Sequence, residues 1–216
     1  MSGNEFLIQQ LLKEGWLKSP HLIEAFYQIK REDFVPAEEK EYAYLNEALP
    51  LMAGQTISQP LVVAFMLELL DPQYGEKILD IGSGSGWTSA LLGYLVSHQA
   101  FKSKKEAQPG RVIGLEIIPE LKIFGENNVK KYNFIKKGIV EIFCLDGKGG
   151  YPKEAPYDKI LVGASGEEIP KTLLKQLKIG GRLVMPVKES IVKIEKKGDS
   201  TYQKEEYPGF VFVPLV

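Results

Sequence analysis

Cysteine is nearly absent from the 216 residues: Cys144 is the only one, so no internal disulfide can form. It stands in the apolar run IVEIFCL, where a buried, unreactive thiol is expected. Histidine is almost as scarce. His21 falls in an expected helix and His98 begins a polar segment, so both read as surface residues and neither as a base. Around them no Ser-His-Asp pattern or metal-ligand cluster can be assembled. An excess of one charge is also missing, since 27 Lys and Arg face 28 Asp and Glu. That balance argues against nucleic acid or a membrane surface as partner, and the short lysine clusters at 102–105, 130–131 and 136–137 read as solvated surface. No apolar run approaches the ~18 residues of a membrane span, and the N-terminus lacks the basic-then-apolar pattern of a signal peptide. The expectation is a cytoplasmic monomer.

What is present has the rhythm of one α/β domain. Residues 5–14 carry Phe6, Leu7, Leu11 and Leu12 at helical spacing, with Gly15 as the stop. Ser19-Pro20 reads as a cap and first turn for HLIEAFYQI, and the pattern breaks in REDFVP. Ser58 reads as the cap of the helix PLVVAFMLELL, which Asp71-Pro72 ends. From Lys77 onward, strands alternate with helices: KILDI, then WTSALLGYLV; RVIGLE, then a helix over 119–132; GIVEIFCL; YDKILVGA; KTLLKQL; RLVMPV. The Gly180-Gly181 pair reads as the turn into RLVMPV. This alternation predicts a Rossmann-like, mostly parallel sheet with helices on both faces. SIVKIEKK and GFVFVPLV are expected to close the chain as a hairpin on an antiparallel edge. The polar, lysine-rich segment 97–110 reads as an exposed insertion. A division into a helical cap with substrate loop (1–60), a binding core (77–187) and a hairpin (188–216) follows, with the cap expected over the active edge of the sheet.

The densest chemical signal is Asp80-Ile81-Gly82-Ser83-Gly84-Ser85-Gly86, between a strand and a helix. Glycines there allow a tight turn and close approach to a ligand, whose neighbours are the helix N-terminal amides. Alone, such a run is compatible with a plain strand-to-helix turn. Glu116 ends the next strand, where a carboxylate can accept from both hydroxyls of a ribose, and Asp146-Gly147 follow the third. Three acidic or glycine-bearing strand ends on one edge read as a nucleoside pocket. A dinucleotide would favour G-x-G-x-x-G, which fails because the third position is Trp87. The pattern D-x-G-x-G-x-G suits S-adenosyl-L-methionine, which has no phosphate and whose sulfonium tolerates a neighbour such as Asp80.

The motifs REDFVP, GQTISQP, KILDIGSGSGW, GLEIIPEL, PYDKILV, LKIGGRLVMPV and FVFVPLV stand in the order found in the protein-L-isoaspartate O-methyltransferase family, which the chain resembles over nearly its full length. GQTISQP is the discriminating piece. The resemblance implies methyl transfer from S-adenosyl-L-methionine to the free carboxylate of L-isoaspartyl residues in damaged proteins and peptides, a repair activity. It implies Ser58 as the active-site residue, with Thr56 and Gln59 beside it at the substrate. It implies Ile57, Asp80, Gly82, Ser83, Gly84, Glu116, Asp146 and Gly147 at the methyl donor. Because the acceptor is already an anion, no general base is needed and positioning carries the reaction. Two departures bear on substrate choice: Ser165, Gly166 and Glu167 replace a small, Ala-rich stretch, and Lys188-Glu189 run directly into the next strand. Two other readings stay open, a methyltransferase for another carboxylate and a catalytically silent donor-binding protein.

Overall fold

The central strand, Lys77–Ile81, is apolar and buried after its half-buried first residue Lys77, except for Asp80, as a strand covered on both faces must be. In chain order the helices of the computed structural model are α1 (Gly3–Lys13), α2 (Pro20–Gln28), α3 (Pro60–Leu70), α4 (Trp87–Ser97), α5 (Pro119–Lys130) and α6 (Lys171–Gln176). The strands are β1 (Leu49–Pro50), β2 (Thr56–Ile57), β3 (Lys77–Ile81), β4 (Arg111–Glu116), β5 (Val140–Cys144), β6 (Tyr157–Val162), β7 (Leu177–Val187), β8 (Ser190–Lys196) and β9 (Tyr202–Pro208). Residues 2–101 and 108–215 are described, without the side chain of Phe101. The insertion expected over 97–110 therefore falls in part outside the described residues.

Seven strands form one sheet in the order β5-β4-β3-β6-β7-β8-β9, parallel from β5 to β7 and antiparallel beyond. The chain winds outward from β3 to β5, then returns to β6 on the other side of β3. That reversal opens a crevice at the carboxyl ends of β3, β4 and β6, where ligands of open α/β sheets bind. Pleating sends Ile78, Val112, Leu161, Val184 and Ile191 to one face, in a core shared with α1–α5. Their neighbours Leu79, Ile113, Ile160, Leu183 and Val192 point to the other, where Leu173 of α6 packs. The fold matches the sequence expectation, with the helices divided unequally between the faces.

Several local expectations are corrected. The last strand of the hairpin is the polar YQKEEYP of β9, and GFVFVPLV is instead a tail crossing the active edge, with Pro214 bridged to Ser165. An edge strand exposed on both faces needs no apolar alternation, so periodicity passed over it. Gly180-Gly181 is not a turn before β7: the strand starts directly after α6, and the glycines lie in an irregularity between the Tyr157–Leu177 and Lys159–Arg182 pairs. Ser19 sits at the start of α2, but its hydroxyl donates to Glu68 Oε2 (2.7 Å) instead of capping its own helix. Ser58 is not the cap of α3. Gln59 holds that position without a side-chain bond to the helix start, and Asn46 Oδ1 accepts from Leu61 N (2.9 Å), capping the helix from a distant loop. Of the N-terminal helices, α2 packs on α3 and α4 and α1 packs on α2, and no residue of either lines the crevice that they were expected to cap. Cys144 is exposed, at the very end of β5, its thiol 3.8 Å from Ile117 O.

Candidate active site

Each side of the crevice is built from a different kind of structure. On the β3 side, Gly82 N and Ser83 N both donate to Leu115 O (2.8 and 3.0 Å), which turns the chain sharply off the strand. Gly86 then starts α4 at φ +84°, where a Cβ would meet Gly125 O of α5 at 2.7 Å. Only glycine satisfies both the backbone angle and the contact. Gly147 is needed for contact alone, since a Cβ there would lie 2.3 Å from Ile81 Cγ2.

Glu116, 6% exposed, ties this side together. Its Oε2 accepts from Gly84 N and its Oε1 from Ile118 N, both at 2.9 Å. A carboxylate has about four acceptor sites, so each oxygen retains capacity for a ligand hydroxyl. Asp80 lies beneath the glycine turn, fully buried. Its Oδ2 accepts from Ser89 Oγ (2.6 Å) and Thr88 Oγ (2.9 Å), while Oδ1 has no partner among the described residues. Burial pushes its carboxyl up to about 6, with the Ser89 and Thr88 bonds opposing and the nearby Glu116 charge adding to the rise. Ser83 Oγ is likewise buried and unpartnered. An orphaned group in the cavity wall such as Ser83 Oγ calls for a polar ligand or water, and Asp80 Oδ1 behind the wall for a water.

The opposite side is a loop, β1 paired antiparallel with β2, followed by Ser58 and α3. No described residue bonds the Ser58 hydroxyl, whereas Gln59 Nε2 donates to Asn46 O (2.8 Å). The C-terminal tail closes the rim: Ser165 N donates to Val213 O and Leu215 N to Ser165 O, both at 2.8 Å. Ser165 Oγ donates to Lys188 O (3.0 Å), so the two departures noted in the sequence are joined to each other. Glu167 is exposed and does not line the cleft.

Two cavities result. The inner one, about 110 Å³, is lined by Ile57, Gly82, Ser83, Gly84, Glu116 and Gly147, with Trp87, Thr88 and residues 213–215. The outer one, about 340 Å³, is lined by Gln59, Ala48, Val62, Val211 and Phe212. Thr56, Ser58, Gly163 and Val213 line both. The structure thus brings together nine of the eleven residues singled out from the sequence. Asp80 stands behind the wall, and Asp146 is exposed outside the lining, its Oδ1 accepting from Lys148 N (2.9 Å). Sequence reasoning passed over Trp87, Thr88 and the tail. Trp87 and Thr88 directly follow the glycine run, a signal that was there to use; the tail carried an apolar pattern that equally suited a strand.

Comparison with known proteins agrees with this geometry. The family model for protein-L-isoaspartate(D-aspartate) O-methyltransferase matches residues 1–216. A protein-L-isoaspartate O-methyltransferase of Methanopyrus kandleri is 40% identical over 99% of this chain and 91% of its own length. One from Staphylothermus marinus is 39% identical, covering 97% of this chain and 92% of its own. A Plasmodium falciparum structure of the same description, in complex with S-adenosyl-L-homocysteine, superposes with a TM-score of 0.86 at 25% identity, covering 100% of this chain and 99% of that one.

Proposed function

Because the chain belongs to the protein-L-isoaspartate(D-aspartate) O-methyltransferase family, we propose that it methylates the free carboxylate of L-isoaspartyl residues in proteins and peptides, with S-adenosyl-L-methionine as donor. The observation that carries the reading is the junction of two cavities at Thr56, Ser58, Gly163 and Val213. Methyl transfer requires donor and acceptor to enter separately and meet in line, and adjoining chambers suit that demand.

The residues fit the donor. Glu116 retains acceptor capacity toward ribose hydroxyls, and Ser83 Oγ is buried without a partner. Gly82 and Gly84 let the backbone approach, Gly147 leaves room beside Ile81, and Ile57 covers the cavity from the acceptor loop. Asp80 acts from behind, holding the start of α4 through Thr88 and Ser89. Asp146 lies outside the lining and has no part in this reading. When bound, the donor supplies a methyl on a sulfonium: the oxygen–methyl bond forms as the sulfur–methyl bond breaks, leaving a neutral thioether and an ester with no proton moved.

The chain's own residues then have three tasks. Ser58 offers an unpaired hydroxyl to one oxygen of the acceptor carboxylate, with Thr56 beside it and Gln59 bracing the loop against Asn46. The tail at Val213–Leu215 excludes water from the inner cavity. Glu167, being exposed, leaves an anionic acceptor unopposed. The reading extends to a cytoplasmic monomer acting without nucleic acid, supported by the near-zero net charge and single cysteine. No helix among the described residues is long and apolar enough to cross a membrane. The test is an assay with labelled donor on an isoaspartyl peptide and its normal aspartyl twin. Ester formation on the first alone supports the reading; donor binding without turnover of either would overturn it.

A further inference from the structure

Arg31 is an unusual residue to find in this core. It is 1% exposed, and its guanidinium makes no ion pair with a described carboxylate. Its partners are main-chain carbonyls. Nη1 donates to Ala43 O (2.8 Å) and, at longer range, Leu45 O (3.4 Å). Nη2 donates to Glu47 O (2.9 Å), Ser58 O (3.1 Å) and more weakly Ile57 O (3.5 Å). Nε has no partner among the described residues. The guanidinium carbon also sits 5.4 Å from the centre of the Trp87 ring, in cation–π range. Burial lowers its pKa to about 10, which leaves it charged at neutral pH.

Burying a charge without a counter-ion costs several kcal/mol, and an apolar side chain of similar size would ordinarily make the sturdier core. Here the fork stitches the segment 43–47 to the backbone of Ile57 and Ser58, while its face rests on Trp87, which lines the inner cavity. Only a planar group with several donors in a fixed fan can reach carbonyls of two segments at once. It also leaves positive charge directly behind the loop that would receive an anion.

We infer that Arg31 is a positioning residue for the acceptor, fixing the 57–58 backbone so that the Ser58 hydroxyl is presented to the substrate carboxylate; this rests on the functional reading above. A residue that merely filled the core would, when changed, damage stability, donor affinity and turnover together. A positioning residue separates them.

The experiment uses the full chain with Arg31→Lys and Arg31→Ala. For Arg31→Lys, which keeps the charge and loses the fork, kcat/KM for an isoaspartyl peptide should fall at least about tenfold, while donor Kd stays within about twofold. Hydrogen exchange at the amides of 56–59 should accelerate relative to those of β3 and β4. Millimolar ethylguanidinium should restore part of the activity of Arg31→Ala; if that variant does not fold, Arg31→Lys alone decides. Full activity and unchanged exchange in Arg31→Lys would overturn the inference, as would parallel loss of Tm, donor affinity and turnover. Failure of the unmodified chain on the isoaspartyl peptide would instead overturn the functional reading, and the exchange arm would still decide whether Arg31 fixes the loop.

Discussion

The two sides of the crevice hold their shape by different means. On the donor side, backbone amides, glycines and two buried carboxylates are fastened to the ends of central strands, and almost every polar bond is local to β3, β4 and the start of α4. On the acceptor side, Ser58 belongs to a loop with only a two-residue strand, held by long-range bonds to Arg31 and Asn46, and the tail lines the same cavity without bonding to it. The donor side is therefore stiff because the sheet is stiff. The acceptor side is only as rigid as a few side chains make it, and that division suits a shared donor and a variable protein substrate.

The comparison breaks most visibly at Glu116. Its replacement by Ala strips two amides of their acceptor as well as removing the proposed ribose contact. At about 1.5–3 kcal/mol per bond to a charged acceptor, donor Kd should rise by roughly 100-fold or more. Glu116→Gln keeps one acceptor oxygen but turns an NH2 toward an amide, so about a tenfold rise is expected. Calorimetry with circular dichroism as a folding control checks both. An unchanged Kd in Glu116→Ala would place the ribose elsewhere.

Ser58→Ala tests the other side. Losing one charge-assisted bond to the acceptor should lower kcat/KM for an isoaspartyl peptide by about ten- to a hundredfold. Donor Kd should not move, and neither should Tm, because Ser58 caps nothing. A drop in Tm of several degrees would return the hydroxyl to a role in the helix start, which the bond from Leu61 N to Asn46 assigns to another residue.

The same contrast governs what could be read from the sequence. The donor side was legible because its determinants are contiguous: KILDIGSGSG places strand, glycine turn and helix start in one run, and Glu116 follows from the end of the next strand. The acceptor side is assembled from residues far apart in the chain, Arg31, Asn46, Ser58 and Val213 among them, and periodicity carries no information about which loop reaches which. Ser58 next to Pro60 matched a local capping pattern, yet Asn46, 15 residues away from Leu61, makes the bond. GFVFVPLV is apolar because Phe210 and Phe212 pack on the core and Val213–Leu215 cover the cleft, not because it pairs in a sheet. Arg31 could be seen only as part of a family motif, since no single-sequence rule anticipates an unpaired buried guanidinium.

Asn46→Ala sharpens the comparison at smaller scale. Loss of the remote cap on α3 should cost about 1 kcal/mol of stability, as for ordinary caps. The bond from Gln59 to Asn46 runs to the main-chain oxygen and survives the substitution. Chemical denaturation should show the loss while donor Kd stays constant, and acceptor KM should rise only a fewfold. Equal damage to donor binding would mean that the two sides are mechanically one.

The last effect is a pH dependence at Asp80, and its sign is unusual for a carboxylate. Desolvation raises the folded-state value to about 6, the Ser89 and Thr88 bonds only partly opposing it, against an ordinary value near 4. Between those two pH values the folded chain holds a proton that the unfolded chain has released. Folding stability from this group is therefore greatest below about pH 4, falls as pH rises to about 6, and is level above, the reverse of a salt-bridged carboxylate. Asp80→Asn removes the titration, and its amide oxygen can still accept from Ser89 and Thr88. Urea denaturation of both proteins from pH 4 to 8 should show the variant gaining on the unmodified chain up to about pH 6, then a constant difference. A cationic donor favours the ionised carboxylate, so donor affinity of the unmodified chain should rise about two- to fivefold through the same window, and that of Asp80→Asn should not. The change is small because Asp80 stands behind the cavity wall rather than in it. A stability difference without pH dependence would mean that Asp80 keeps one protonation state throughout, with water at its unpartnered oxygen.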